Sequence, residues 1–315
     1  MLVIGHRGAC GYRPEHTLAS YELAGRLGAD FLEPDLVITA DGVLVCRHEP
    51  ELSGASDVGA RPEFAGRRRV KTLAGRDVDG WWAEDFTLAE LKTLRARERI
   101  PDVRPANTAY DGAFEIPTYQ EVLDLAARLS AELGRTIGTY PETKHPAFFR
   151  DQGLPLEPPL VELLRANGLD RPDAPVFVQS FGDNLPALRS ELSCPFVQLF
   201  ARPRELAPIA GYAEAIGPGK HLVLPRDGDE RSLAPTRLVE EAHALGLDVH
   251  LWTIRAENRF LALELRSSAD PNAFGEVAAE LAMARGLGVE AVFADQPDLA
   301  VSPRPAAPAA PPAPG

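Results

Sequence analysis

The groups in this chain best suited to chemistry open it. His6 and His48 bracket a run in which two carboxylates, Glu33 and Asp35, stand two positions apart inside an otherwise apolar stretch. Alternate side chains of a strand share a face, so Glu33 and Asp35 point the same way. Two acids on one face of a buried strand repel each other, and they call for a cation, a proton or a substrate. Further on, Glu142-Thr143-Lys144 repeats the spacing with a carboxylate and an ammonium. Three carboxylates from two strands form a hard oxygen site suited to Ca²⁺ or Mg²⁺, not to a soft metal. Each group alone has a plainer reading: acids salt-bridged to arginines, a surface ion pair, a histidine satisfied at a strand end. Their joint placement carries the case.

The elements that must hold these groups can be read in order. Residues 3–6 are a short apolar run ending in a Gly-rich loop. Thr17 caps a helix that stops at Gly28. Residues 31–38 form the next strand, with Pro34 as a break or bulge because it lacks an N–H. Asp41-Gly42 signals a tight turn into 43–48. Later strands are expected over 136–142, 175–181, 195–200, 213–216, 248–254 and 290–294. Helices are expected over 118–133, 156–167, 184–192, 236–245 and 274–287. Strands alternating with helices imply an α/β fold with a parallel sheet. That many strands in one chain point to a closed (β/α)8 TIM barrel over residues 1–302. No GxGxxG opens a helix, which disfavours an open dinucleotide-binding sheet. His6, Glu33, Asp35, Glu142, Lys144, Gln179, Trp252 and Asp295 then fall at the carboxyl ends of strands, where barrels place chemistry.

Residues 49–116 differ in texture and read as a small insertion subdomain between the second and third barrel strands. Thr87 with Glu90 forms a capping box for a helix over 87–95. Arg67–Arg69 reads as a solvated surface run, and Trp81 and Trp82 as packing. Residues 303–315 are Pro- and Ala-rich and are expected to be disordered.

The net charge is −13, which argues against a nucleic-acid partner and leaves a small-molecule phosphate ester open. Cys10, Cys46 and Cys194 make neither a disulfide framework nor a CxxC metal site. The N-terminus has no basic and apolar signal pattern, so the sequence as written reads as cytoplasmic; a trimmed form would be periplasmic or secreted. No apolar run reaches spanning length, so no stable membrane insertion is expected.

At these residues the chain resembles the glycerophosphodiester phosphodiesterase family. The matching motifs are His6-Arg7-Gly8, Pro14-Glu15-His16-Thr17, Glu33-x-Asp35, Asp41-Gly42 and His48. Further matches are Pro141-Glu142-Thr143-Lys144, Gln179-Ser180-Phe181 and 293–298, and the block after His48 resembles the insertion of the longer bacterial members. The resemblance implies a (β/α)8 barrel, a divalent metal, Ca²⁺ first and Mg²⁺ second, and hydrolysis of glycerophosphodiesters to glycerol 3-phosphate and an alcohol. It implies His6 and His48 as the acid/base pair and Glu33, Asp35 and Glu142 as the metal ligands. Arg7 and Lys144 would bind phosphate oxygens, with Gln179 and Trp252 also on the substrate. Glu49, Pro34 and Gly182 depart from the family pattern. The same motifs also resemble phospholipase D-type enzymes acting on sphingomyelin or lysophospholipid. A non-catalytic phosphodiester-binding protein is the remaining alternative.

Overall fold

The structure is a computed structural model, and residues 1–301 are described; the expected disordered tail lies outside them. The barrel strands are β1 (Leu2–His6), β2 in two halves (Phe31–Glu33 and Asp35–Ile38), β3 in two halves (Gly138–Thr139 and Glu142–Thr143), β4 (Val178–Ser180), β5 (Phe196–Phe200), β6 (Ala215–Pro218), β7 (Asp248–Ile254) and β8 (Ala291–Ala294). All neighbours run parallel, and β8 returns to β1 with Leu2 opposite Ala291, which closes the ring. The fold is the expected α/β barrel.

The halving of β2 and β3 has one cause. Leu32, Pro34 and Leu36 carbonyls still accept N–H groups of Tyr140, Glu142 and Lys144 at 2.8, 2.9 and 3.2 Å. Pro34 returns no N–H, so the ladder is one-sided there. Pro141 repeats the device in β3, where its carbonyl accepts from Gln179 at 2.9 Å. The strands therefore stay in register through both prolines.

Helix α1 (Leu18–Arg26) is capped by Thr17, whose side chain accepts from Ser20. The helix Tyr119–Leu133 opens on a full capping box of Thr118 and Glu121. The helix Leu88–Leu91 has the expected capping box but ends sooner than the expected 87–95. An arm, Leu44–Cys46, folds back antiparallel on β2 and carries the chain into the insertion. The insertion contains a hairpin, Arg69–Leu73 with Arg76–Gly80, and several 3₁₀ turns. Trp82 is fully buried and donates to the Arg69 carbonyl, and Trp81 donates to that of Phe64. Both pack the insertion. Arg67 is not a free surface charge, since it pairs with Glu90.

Inside the barrel, Ile4, Tyr140, Val197 and Phe293 pack with Phe31 and Phe177. His250 is buried among them, and its Nδ1 accepts from the Tyr140 hydroxyl at 2.5 Å. Burial pushes its pKa down from 6.5 to about 3. Across that window the unfolded chain binds a proton that the folded one refuses. The histidine's share of stability is whole above pH 6.5 and is lost as pH falls toward 3, at a limiting slope of about 1.4 kcal/mol per pH unit. Denaturant unfolding of His250→Gln between pH 7 and 4 should therefore show a flatter pH slope than the parent. An unchanged slope would dismiss this role.

Candidate active site

The carboxyl ends of the strands surround a cavity of about 310 Å³. Its walls include His6, Arg7, Glu33, Asp35, His48, Glu142, Lys144, Gln179 and Trp252. The residues singled out from the sequence thus meet in one place. A larger groove of about 740 Å³ lies away from it, along the helices Glu157–Ala166 and Leu185–Arg189, and holds none of them.

The first loop is shaped by backbone conformation. Arg7 and Gly8 have φ of 57° and 90°, so the chain turns sharply after His6. A Cβ on Gly8 would lie 2.6 Å from the Ser20 carbonyl carbon, so only glycine lets this loop lie against α1. The turn aims the Arg7 N–H at Glu33 Oε2, 2.8 Å away, and its guanidinium at Glu15, 2.8 Å, and Asp35, 3.4 Å.

Glu33, Asp35 and Glu142 are each at least 95 % buried, and their oxygens lie within 4.8 Å of one another. Pro34 does not prevent the convergence. Glu33 also accepts from Gln179 Nε2 at 3.0 Å. Asp35 accepts from His16 Nε2 at 2.9 Å and faces Lys144 Nζ at 3.7 Å. Glu142 pairs with Lys144 at 2.9 Å. Burial, and then the neighbouring Asp35 and Glu142, push the Glu33 carboxyl well up. Burial raises Glu142 to about 8, despite Lys144. For Asp35, burial is outweighed by Lys144, His48 and His16, which hold its carboxyl well below the usual range. Lys144 and Arg7 therefore do not suffice to keep all three ionised at neutral pH. Gln179 Oε1 is buried beside them with no hydrogen-bond partner among the described residues. A hard cation would answer the surplus charge, and the unpaired oxygen is left for a ligand in the same cavity. The residues fit a divalent metal.

The histidines are held alike. His6 Nδ1 lies 2.6 Å from Asp295 Oδ1, and His48 Nδ1 lies 2.7 Å from Glu49 Oε1. Neither Nε2 has a hydrogen-bond partner among the described residues, so that nitrogen is left for the cavity. Asp295 is fixed in turn by Arg104 Nη2 at 2.6 Å and Arg255 Nε at 2.9 Å. Arg104 comes from the insertion and also binds Glu257 at 2.7 Å. Glu49 reaches His145 Nε2 at 3.4 Å. Burial, then Arg7, lowers His6 to about 4, and burial, Arg7 and Lys144 lower His48 to about 4.

Several of these partners carry no local signal in the sequence. His16 belongs to a quoted motif, yet its grip on Asp35, with Nδ1 accepting from the Tyr21 hydroxyl at 2.7 Å, is a tertiary fact. Asp295 was readable as a polar strand end, but its tie to His6 spans the chain. Trp252 lies at the mouth, edge-on to Phe181 at 5.4 Å. Among the described residues, no helix is long and apolar enough to cross a membrane.

Buried carboxylates, two cations and two oriented histidines at the carboxyl mouth of a closed barrel define a barrel hydrolase for an anionic substrate. The profile of the Glycerophosphoryl diester phosphodiesterase family matches residues 6–299. A glycerophosphodiester phosphodiesterase of Arabidopsis thaliana is 34% identical over 292 residues, covering 83% of this chain and 76% of its own. Another, from Haemophilus influenzae, is 28% identical over 343 residues, covering 95% and 88%. A phosphodiesterase of Oleispira antarctica, solved in complex with the product sn-glycerol-3-phosphate, superposes with a TM-score of 0.63 at 22% identity and 95% coverage of each chain. The chain belongs to the glycerophosphoryl diester phosphodiesterase family. It is an enzyme, a phosphoric diester hydrolase acting on glycerophosphodiesters.

Proposed function

We propose that the enzyme hydrolyses glycerophosphodiesters to glycerol 3-phosphate and an alcohol with a divalent cation, Ca²⁺ or Mg²⁺, held by Glu33, Asp35 and Glu142. His6 and His48 form the acid/base pair. The observation that carries the reading is the paired grip: each histidine is held at Nδ1 by a carboxylate and offers Nε2 to a cavity where three more carboxylates converge.

The bound cation would offset the negative charge that grows on the phosphate oxygens in the transition state. Arg7 and Lys144 add fixed positive charge on the same oxygens, preorganised by Glu15 and Glu142. One histidine accepts at Nε2 the proton of the attacking hydroxyl, either the substrate's own 2-hydroxyl or a water. The other donates its Nε2 proton to the leaving alcohol oxygen. The carboxylate at Nδ1 keeps each ring in the tautomer that leaves Nε2 reactive. Burial and the neighbouring cations, Arg7 for both rings and Lys144 for His48, keep both rings neutral in the free enzyme. An anionic diester against Arg7 and Lys144 offsets those cations, so the acid regains its proton on binding. Gln179 and Trp252 bind the substrate, Gln179 through its unpaired oxygen and Trp252 by packing on the glycerol or the alcohol.

A coupled assay for glycerol 3-phosphate tests the reading. Release from glycerophosphocholine or glycerophosphoethanolamine is expected. Choline released from sphingomyelin vesicles with no glycerol 3-phosphate from either soluble diester would replace it with a phospholipase D reading.

A further inference from the structure

A second cavity, about 440 Å³, opens beside the first, and the two share Thr253 and Arg255 as a common wall. Lys220, His221, Arg226, Arg255 and Arg259 line it, and none of its lining side chains among the described residues is acidic. In a chain of net charge −13 this is a local reversal of sign. Exposed Glu230 lines the adjoining cavity with Arg259 and pairs with Arg266, and two further carboxylates lie behind the wall. Glu280, 3% exposed, takes Lys220 Nζ at 2.8 Å and stands 3.5 Å from Arg226. Asp295 takes Arg255 but is shared with Arg104 and His6. Those two carboxylates are thus divided among four basic side chains and a histidine.

A purely structural account covers part of this. Lys220 and Arg226 both donate to the Phe260 carbonyl, at 2.9 and 2.6 Å, and so tie the loop after β6 to the one after β7. It leaves Arg259 unexplained, for its guanidinium has no hydrogen bond or ion pair among the described residues. An anion in this cavity would meet Lys220, Arg226 and Arg255 already held in place, which lowers the ordering cost of binding it, with the exposed Arg259 left to close on it.

We propose that this cavity is the subsite for the alcohol half of the substrate and selects glycerophosphodiesters whose alcohol carries a second anion, a carboxylate or a phosphate. The inference rests on the reading of the first cavity given above. The diester phosphate is neutralised at Arg7 and Lys144, and an alcohol directed over Thr253 and Arg255 enters the basic cavity. Its basic lining suits a polar, anionic head group and not an apolar lipid tail. Arg259 is the recognising charge with no internal duty to perform.

Two matched pairs of substrates test the subsite. Glycerophosphoserine differs from glycerophosphoethanolamine by one carboxylate. Glycerophosphoglycerol phosphate differs from glycerophosphoglycerol by one phosphate. The wild-type enzyme should show a kcat/KM about tenfold higher for the anion-bearing member of at least one pair, the size of one charge-assisted hydrogen bond. The favoured pair tells carboxylate from phosphate. Arg259→Ala should remove that preference while leaving the other member of the pair unchanged. Equal kcat/KM within both pairs, or equal slowing of both members by Arg259→Ala, overturns the proposal. If the wild type turns over none of the four, the catalytic reading fails instead, and calorimetry with phosphoserine and phosphoethanolamine judges the cavity. Tighter phosphoserine binding that Arg259→Ala abolishes would uphold it; equal affinities would overturn it.

Discussion

His48→Ala is expected to lower kcat by about 10³-fold with little change in KM. The asymmetry follows from what the ring does. Its Nε2 acts on a proton in flight, which exists only in the transition state, so ground-state binding loses little. The diester is held by other groups, Arg7 and Lys144 foremost. His48 is only partly covered, with its side chain 27% exposed, so its loss leaves little cavity and the thermal midpoint should hardly move. That separates lost chemistry from lost folding. His6→Ala is expected to lower kcat comparably, and the two variants can be told apart by leaving group. Nitrophenolate departs as a stable anion and needs no proton, whereas a simple alkoxide needs one. With a nitrophenyl ester of glycerol 3-phosphate, the variant lacking the acid should recover most of its rate, and the variant lacking the base should not. If neither substitution slows turnover of glycerophosphocholine by tenfold, the two-histidine scheme is wrong.

The legibility of this site in the sequence depended on what kind of fact each part is. Glu33, Asp35, Glu142 and Lys144 were readable because strand periodicity turns spacing into direction, and barrels gather strand ends. The structure brings them within one cavity. What spacing does not encode is pairing across the chain. Asp295 binds His6 from 289 residues away, and Arg104 arrives from the insertion to hold Asp295. Neither leaves a local pattern. Glu49 stood out in the sequence only as a departure from the family motif, and its contacts to His48 and His145 show what that position touches. The prolines divide similarly. Pro34 announces a break by its missing N–H, but that the carbonyl ladder runs through it unbroken is a property of β3, not of β2. In the insertion, the capping box of Thr87 and Glu90 marked where a helix starts. No glycine marks its end, so the sequence pattern runs past the point where the helix stops. The short helix Pro146–Asp151 is not among the expected helices, although its proline at the first turn is a start signal.

The same carboxylates yield the second large effect, and its sign can be worked out beforehand. Glu142 is raised to about 8 by burial, and Glu33 is raised as well by burial and its two acidic neighbours. At pH 7 without a cation Glu142 therefore carries a proton, and a divalent ion must expel it to bind; the upward shift of Glu33 acts in the same direction. Apparent affinity for Ca²⁺ or Mg²⁺ should rise with pH from 6 toward 8 and flatten above it, by as much as about tenfold per pH unit for each proton released. Calorimetry in buffers of different ionisation enthalpy counts those protons directly, without reference to turnover. Glu142→Gln keeps the shape of the side chain and removes one negative charge and its titration. It should weaken cation binding by roughly 10- to 100-fold, the range for losing one close charge partner at about 1.4 kcal/mol per decade. It should also reduce the proton release. Activity should follow occupancy: exhaustive chelation should abolish release of glycerol 3-phosphate in the parent enzyme, and added Ca²⁺ or Mg²⁺ should restore it. In Glu142→Gln, restoration should need correspondingly more of the ion. Lys144 supplies an internal check, because it pairs with Glu142 and faces Asp35. Freed from Glu142, its ammonium turns more fully to Asp35 and competes with the incoming cation, so Glu142→Gln combined with Lys144→Met should bind the ion more tightly than Glu142→Gln alone. Full turnover after chelation, or a cation affinity that ignores both pH and Glu142, would show that these three carboxylates answer to Lys144 and Arg7 alone.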